Sequence, residues 1–141
     1  MTIIKQQDLI DSIADSLQYI SYFHPLDYIQ ALGEAYKAEQ SPAAKDAIAQ
    51  ILTNSRMCAE GHRPICQDTG IVVVFLKIGM NVRFEGTMPL DDMINEGVRK
   101  GYLDPDNKLR ASIVNDPAGK RTNTKDNTPA VIHIQMVAGD K

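Results

Sequence analysis

The spacing of apolar residues changes at Gly61, and this change constrains the fold more than any other feature of the chain. Before Gly61, apolar side chains recur every three or four residues, which is the pattern of amphipathic helices. Beyond it, three short runs have the composition and spacing of strands, with one helical segment between the second and the third. Helices followed by strands are typical of the α+β class. We therefore predict a single α+β domain, with a helical part over residues 1–61 and a small sheet with one further helix over residues 62–141.

Three helices are predicted in the first part. The first is interrupted at Phe23-His24-Pro25, because proline and the residue before it leave the helical region. The second follows Pro25, and the third begins at Ser41-Pro42, a serine cap with proline in the first helical position, and runs to about Ala59. The residues expected to face inward are Leu9, Ile10, Ile13, Leu17 and Ile20 in the first helix, Leu26, Ile29, Leu32 and Tyr36 in the second, and Ala44, Ala47, Ile48, Ile51 and Leu52 in the third.

The second part begins with a predicted strand and hairpin. The run from Ile71 to Ile78 is β-branched and lies between two glycines, so we predict a strand that is buried on both faces. The segment Val82-Arg83-Phe84 is predicted to pair with it through the turn Gly79-Met80-Asn81. The remaining predicted elements are a helix from Pro89 to about Lys100, a long loop over residues 101–129 and a last strand from Val131 to Val137.

Composition excludes several classes of protein. A chain of 141 residues is the size of one domain and can bury a core without disulfides. Its net charge of −3 argues against a general polyanion binder, so no nucleic acid partner is expected. The longest apolar run, Ile71 to Leu76, is too short to span a membrane, and the first residues lack the pattern of a signal peptide. We expect a cytoplasmic protein, whose two cysteines, Cys58 and Cys66, are too few for a disulfide scaffold or for most metal centres.

The segment Cys66-Gln67-Asp68-Thr69-Gly70 combines a thiol, an amide, a carboxylate, a hydroxyl and a glycine between a predicted helix and a predicted strand. Such a position presents side chains and backbone amides to a cleft. The sulfur can ligate a soft metal, and the carboxylate can transfer a proton. Composition alone leaves the alternative open that Cys66 is a small buried residue followed by an ordinary turn.

This segment is one of several motifs that share an order along the chain. It extends upstream to Arg63-Pro64-Ile65 and is preceded by Asn54-Ser55-Arg56. The other motifs are Phe23-His24-Pro25, Asn95-Glu96-Gly97-Val98-Arg99, Leu109-Arg110-Ala111-Ser112, Asn123-Thr124 and Asn127-Thr128-Pro129-Ala130. Together they resemble the amino-terminal region of class I, iron–sulfur fumarate hydratases and the α subunit of the related two-subunit tartrate dehydratases. The long Asp116–Thr128 segment is more similar to the fumarate hydratases.

The resemblance implies a hydro-lyase of the tricarboxylic acid cycle that reversibly hydrates fumarate to L-malate. In this family the open iron of a [4Fe–4S] cluster, held by three cysteines, binds the dicarboxylate substrate. Cys66 would be one cluster ligand, and Gln67, Asp68 and Thr69 would line the substrate side, with Asp68 as the proton-transfer group. Arg110 would bind a substrate carboxylate through two parallel hydrogen bonds. A tartrate dehydratase α subunit is the alternative that keeps this chemistry.

The resemblance also implies a homodimer in a reducing cytoplasm. Two further cluster ligands are expected outside the chain, so residues 1–141 would be the amino-terminal portion of a longer hydro-lyase and inactive alone. The last strand runs directly into Gly139-Asp140-Lys141, which agrees with that expectation.

Three further features, Cys58, His62 and the basic segment Lys108–Lys125, can each be explained without a role in catalysis. Cys58 lies in the last turns of the third helix and is expected to be a small packing residue. His62 is the histidine nearest to Cys66, where a supporting role beside a metal is an alternative to ordinary packing. The segment Lys108–Lys125 carries five basic residues and one acidic residue, which could steer a dianion or remain a solvated loop. It could also be the contact surface of a non-catalytic binding domain on the same scaffold.

Overall fold

A computed structural model describes residues 1–66, 70–106 and 109–141 of the chain. The elements are β1 (Thr2–Lys5), α1 (Gln6–Tyr22), α2 (Leu26–Ala38), α3 (Pro42–Gly61), β2 (Val73–Gly79), β3 (Val82–Glu85), α4 (Leu90–Tyr102), β4 (Val114–Asn115), β5 (Thr122–Asn123) and β6 (Val131–Val137). This content confirms the predicted α+β class. The chain divides into two compact units, a helical unit of Tyr19–Gln67 and a sheet unit of Met1–Gln18 with Asp68–Lys141.

The three predicted helices are confirmed. The predicted inward face of α1 is confirmed at Ile10 and Leu17, which are buried, whereas the residues predicted to face inward in α2 and α3 are half-buried at most. The α2 helix, which is described in full, has no buried residue, and its Leu26 and Tyr36 are exposed. Ala47 and Ile51 of α3 are exposed as well, and so is Ile20 at the end of α1. The α2 and α3 helices contact each other, and contact along one stripe leaves the rest of each apolar face uncovered.

The start of α3 differs from the prediction in one detail. Ser41 has extended backbone angles, and Pro42 follows it at the first helical position, as predicted. The Ser41 hydroxyl, however, makes no capping hydrogen bond with the described residues. The Glu39 Oε1 instead accepts hydrogen bonds of 2.8 Å from the amides of Gln40 and Ser41, so a carboxylate before the helix organises this turn.

The sheet unit has its core on α4, where Ile94 and Val98 are completely buried. The Gly97 of α4 lies so close to α1 that a Cβ there would be 2.7 Å from the Cβ of Ile13 and 2.9 Å from the carbonyl oxygen of Ile10. Glycine is therefore required for this close helix contact. The buried residues that form one cluster in this unit are Leu17, Val72, Val98, Tyr102 and Leu109.

The predicted hairpin between the second and third strands is wrong. The β2 strand pairs in parallel with β6, from Val73 opposite Val131 to Gly79 opposite Val137. The β3 strand pairs in parallel with β1. The β1 strand was not predicted, because four residues are too few to show an alternating pattern. The amides of the connecting turn are used elsewhere, because Gly79, Met80 and Asn81 donate to the carbonyl oxygens of Lys141, Val137 and Gly139.

Two further predictions about this unit are corrected. The strand predicted to be buried on both faces has one exposed face, on which Phe75 is 77% exposed, because pairing with β6 covers an edge and not a face. The region of residues 101–129 is more than a loop, since α4 extends to Tyr102 and β4 pairs antiparallel with β5. Within the described ranges, no helix combines the length and the apolar character that crossing a membrane requires.

Candidate functional site

Cys66 is an exposed residue at the end of a loop that hydrogen bonds hold to the helical unit. The amide of Ile65 donates to the carbonyl oxygen of Ser21 at the end of α1, at 2.8 Å. The carbonyl oxygen of Ile65 accepts from the Nδ2 of Asn54 on α3, at 3.2 Å. Both polar groups of the residue before Cys66 are therefore paired, and the thiol is placed at a defined exposed position.

The motifs that flank this loop perform the same structural task. Ser55 is buried on α3, and its Oγ lies 3.1 Å from the Nδ1 of His24 in a hydrogen bond. This hydrogen bond joins His24, at the α1–α2 junction, to α3. The His24 ring also lies 4.6 Å from the Tyr28 ring of α2, centroid to centroid. Two strings that supported the family resemblance are thus connected by side-chain contacts.

Cys58 is a packing residue, as predicted. It is buried on α3, and its Sγ lies 3.6 Å from both the Oδ1 of Asn54 and the carbonyl oxygen of Pro64. His62 ends α3 in the left-handed conformation, with φ of 47°. Its ring stacks on Tyr22 at a centroid distance of 5.5 Å and an interplanar angle of 4°. In the described structure, His62 therefore has a packing contact.

Arg110 is exposed in the sheet unit, directly after the buried Leu109. The residues that follow it are held by the β5 strand and its neighbour. The Nδ2 of Asn123 donates to the carbonyl oxygen of Ala111 at 2.9 Å. The amide of Thr124 donates to the carbonyl oxygen of Ile113, also at 2.9 Å. The guanidinium group is therefore carried on a segment with a fixed backbone.

Asn127 joins this segment to the start of the strand region. Its side chain is completely buried, and its backbone is left-handed, with φ of 60°. The Oδ1 accepts hydrogen bonds from the amides of Ser112 and Ile113, at 2.7 and 3.2 Å. The Nδ2 donates to the carbonyl oxygen of Gly70, at 3.0 Å. One side chain thus holds the last residue of the Cys66–Gly70 segment against the segment that carries Arg110.

An ion pair supports the same region from α4. The Nε of Arg99 donates to the Oδ2 of Asp126 at 3.0 Å, and Arg99 also pairs with Glu96. Partial burial raises the pKa of Asp126, but hydrogen bonds from the amide and Oγ1 of Thr128 and from Arg99 outweigh it, so the pKa lies below its usual range. The pKa of Arg99 is raised, chiefly by its hydrogen bond to Asp126. Both groups are therefore charged at neutral pH.

Two of the predicted site residues, Cys66 and Arg110, belong to the described part of the chain. Gln67, Asp68 and Thr69 lie outside the described residues. Cys66 belongs to the helical unit and Arg110 to the sheet unit. Of the predicted basic segment, Lys120, Arg121 and Lys125 are exposed, and Lys108 lies outside the described residues.

Sequence reasoning did not assign a role to Asn127, Asn95 or Asp126. The Oδ1 of Asn95 accepts from the amide of Ala130 at 2.9 Å, next to the start of β6. All three residues lie in or beside motifs that carried the resemblance. A run of Asp and Asn before proline indicates a turn, and asparagine is enriched at left-handed positions, but neither signal reveals that Asn127 is buried.

The two thiols of the chain differ in whether they could ligate a cluster that is held by three cysteines. Cys66 offers an exposed sulfur, whereas the sulfur of Cys58 is buried among helix contacts. Over residues 1–66, 70–106 and 109–141, no group of three or more His, Cys, Asp or Glu side chains could hold a metal ion. The described residues therefore fit such a cluster as the source of one ligand, and they do not form a complete site.

Comparison with known proteins identifies relatives over most of the chain. The family model described as Fumarate hydratase (Fumerase) matches residues 10–141. A putative L(+)-tartrate dehydratase subunit alpha of Methanocaldococcus jannaschii is 33% identical over 123 residues, which cover 86% of this chain and 42% of that protein. The anaerobic class I fumarate hydratase of Escherichia coli K12 is 30% identical over 117 residues, 83% of this chain and 21% of that protein.

A third relative, the L(+)-tartrate dehydratase subunit alpha of Escherichia coli O157:H7, is 26% identical over 94% of this chain and 43% of its own length. The chain thus spans less than half the length of each of these three relatives. Identities of 33% and 30% to a tartrate and a fumarate enzyme do not separate the two substrates.

Proposed function

The chain belongs to the fumarate hydratase family, and we propose that it supplies part of the active site of an iron–sulfur hydro-lyase that reversibly hydrates fumarate to L-malate. The observation that carries the proposal is the family match over residues 10–141, which includes every residue to which a role is assigned below. Because the relatives are more than twice as long, the other parts of the site are proposed to come from further polypeptide, and the chain alone is expected to be inactive.

Cys66 is the proposed cluster ligand of this chain. When bound, a [4Fe–4S] cluster with one open iron would supply a Lewis acid for the hydroxyl and a carboxylate of the substrate. The support from the structure is that Cys66 is exposed and follows a residue whose amide and carbonyl are both hydrogen-bonded. A ligand on a backbone held in this way needs little reorganisation to bind metal.

The substrate side is assigned to residues that follow Cys66 and to Arg110. Arg110 would bind a carboxylate, because its planar guanidinium can donate two parallel hydrogen bonds to the two oxygens. Asp68 would move the proton that is added or removed at carbon, and Gln67 and Thr69 would donate hydrogen bonds to substrate oxygens. The observation that supports this assignment is that Asn127 binds both Gly70, which directly follows Thr69 in the chain, and the amides of Ser112 and Ile113, which follow Arg110.

The cluster assignment can be tested with the two cysteines of the chain. In the complete enzyme, reconstituted anaerobically with iron and sulfide, Cys66→Ser is expected to abolish the stable cluster absorbance and fumarate hydration. Cys58→Ala is the matched control, because the Cys58 sulfur is buried in a packing role, and this variant should keep cluster content and activity.

Retention of cluster and activity by the Cys66 variant would overturn the ligand assignment. The same reconstitution of residues 1–141 alone should yield neither a stoichiometric cluster nor hydration, and full activity from this chain alone would contradict the proposed division of the site.

A tartrate dehydratase is the second candidate, and the observation that favours it is the 33% identity to a protein named as a putative tartrate dehydratase α subunit. The two substrates differ by one hydroxyl group beyond the shared dicarboxylate. Comparing kcat/KM for fumarate hydration and for L-tartrate dehydration by the complete enzyme separates the two. A higher kcat/KM for tartrate would replace the first candidate by the second.

The proposed enzyme is a homodimer in the cytoplasm. A cluster with an open iron is sensitive to oxygen, so a reducing compartment suits it. Light scattering on the complete enzyme after size exclusion should give the mass of two copies, and the mass of one copy would contradict this part of the proposal.

A further inference from the structure

The Asn127 side chain uses its hydrogen-bonding groups in an asymmetric way. Its oxygen faces two backbone N–H groups, of Ser112 and Ile113, and its nitrogen faces the carbonyl oxygen of Gly70. The reverse orientation of the amide would place N–H groups against N–H groups, so the contacts themselves determine the orientation. Because the side chain is completely buried, water cannot replace any of these bonds.

The three contacts connect parts of the chain that are far apart in sequence. Gly70 lies 57 residues before Asn127, and Ser112 lies 15 residues before it. Gly70 has a positive φ of 59° and directly follows the residues proposed to face the substrate, whereas Ser112 comes two residues after Arg110. A change at Asn127 would therefore move the ends of two site segments without touching any group proposed to contact substrate.

We propose that Asn127 is a positioning residue, which sets the Gly70 end of the Cys66–Gly70 segment and the Arg110 segment in fixed relation. This inference rests on the proposed function, because the two segments matter to catalysis only if they bind a dicarboxylate. Its role differs from that of an ordinary core residue such as Ile94, which is equally buried and contributes no polar contact.

Two substitutions separate the two halves of the tie. Asn127→Asp, at a pH where the new carboxylate is ionised, keeps an oxygen toward Ser112 and Ile113 but places a second oxygen without a proton against the Gly70 carbonyl, so it breaks only the contact to Gly70. Asn127→Ala breaks both. Ile94→Ala is the control for general loss of stability, since it creates a cavity in the same unit and leaves the polar contacts in place.

The first measurement uses residues 1–141 and needs no activity. In NMR amide exchange at a temperature where all variants are folded, Asn127→Ala should release the amides of Ser112 and Ile113. Asn127→Asp should keep them protected and change the signal of Ile71, whose peptide group contains the Gly70 carbonyl. Uniform changes that match those of Ile94→Ala would overturn the proposed tie.

The second measurement uses the complete enzyme, with rates expressed per cluster. Asn127→Asp is expected to lower kcat roughly tenfold or more with KM within about twofold, because it disturbs the segment that carries Asp68. Asn127→Ala should in addition raise KM for the dicarboxylate, because the Arg110 segment is also released. Ile94→Ala should lower the melting temperature and leave both constants unchanged.

The outcomes distinguish this inference from the proposed function. An active wild-type enzyme with unchanged constants in both Asn127 variants would overturn the positioning role alone. A wild-type enzyme that holds its cluster but shows neither fumarate hydration nor tartrate dehydration would overturn the proposed function, and the positioning role with it.

Discussion

The contact between α1 and α4 leaves no room for a side chain at Gly97 of the sheet unit. A Cβ at this position would lie 2.7 Å from the Cβ of Ile13 and 2.9 Å from the carbonyl oxygen of Ile10. Neither atom is the mobile end of a side chain, so relief requires a shift of α1. We expect an overpacking cost of about 3 kcal/mol for Gly97→Ala, at the upper end of the usual range. Alanine recovers about 1 kcal/mol of helix propensity, which leaves a net loss of about 2 kcal/mol.

Urea denaturation followed by far-UV circular dichroism measures this loss. With an m value of about 2 kcal/mol/M, the midpoint of Gly97→Ala should fall by about 1 M with little change in m. Two other glycines provide a graded control. A Cβ at Gly101 would lie 3.3 Å from the Cα and carbonyl oxygen of Ala14. In Gly101→Ala the small overpacking cost and the gain in helix propensity should therefore nearly cancel.

At Gly33 no atom lies within 4 Å of the added Cβ, so alanine should stabilise its helix by about 1 kcal/mol. If Gly97→Ala proved as stable as the wild type, the conclusion that α1 and α4 are too close at Gly97 to admit a Cβ would be wrong.

Three further outcomes are expected. Ellman's reagent should modify Cys66 in the native chain and Cys58 only after denaturation, since the first thiol is exposed and the second is buried; two equally reactive native thiols would contradict this burial. Because hydrogen bonds hold the pKa of Asp126 below its unfolded value of about 3.9, the stability that it contributes should be complete above about pH 4 and lost as the pH falls through the folded pKa. Urea titrations over that acid range should therefore show a shallower pH dependence for Asp126→Asn, and an unchanged slope would exclude the pairing with Arg99 and Thr128. In the complete enzyme, Arg110→Lys should raise KM for the dicarboxylate by about tenfold or more, because a charge-assisted hydrogen bond is worth about 1.5–3 kcal/mol and lysine cannot grip both oxygens; an unchanged KM would remove Arg110 from the substrate site.

The helices were predicted well because their signals are local. Proline at position 25 and the Ser41-Pro42 pair mark boundaries through backbone geometry that no tertiary contact needs to supply. The inward face of α2 was predicted poorly. A periodic apolar pattern shows which residues could be buried, but it does not show whether another element covers them. The same reason applies to β2, whose apolar run indicated two covered faces.

Strand pairing could not be derived from neighbouring residues. A short turn between two strand-like runs favours a hairpin, but here the turn amides bind the last residue of β6 and the segment after it. Both strands pair in parallel with strands that are distant in sequence. Parallel pairing is non-local, so its partner is decided by how the whole unit packs.

The sequence by itself determined the class of fold, the helix boundaries and the family, and it predicted the segment Cys66–Gly70 as the place of the chemistry, since each of these depends on residue types in a fixed order. Only the tertiary structure decided which of the two cysteines is exposed, that Gly97 permits the contact of α1 with α4, and that Asn127 joins Gly70 to the segment after Arg110. The physical reason is that burial and hydrogen-bond partnership belong to pairs of groups brought together by folding. A sequence names the groups, and the fold sets the distances between them.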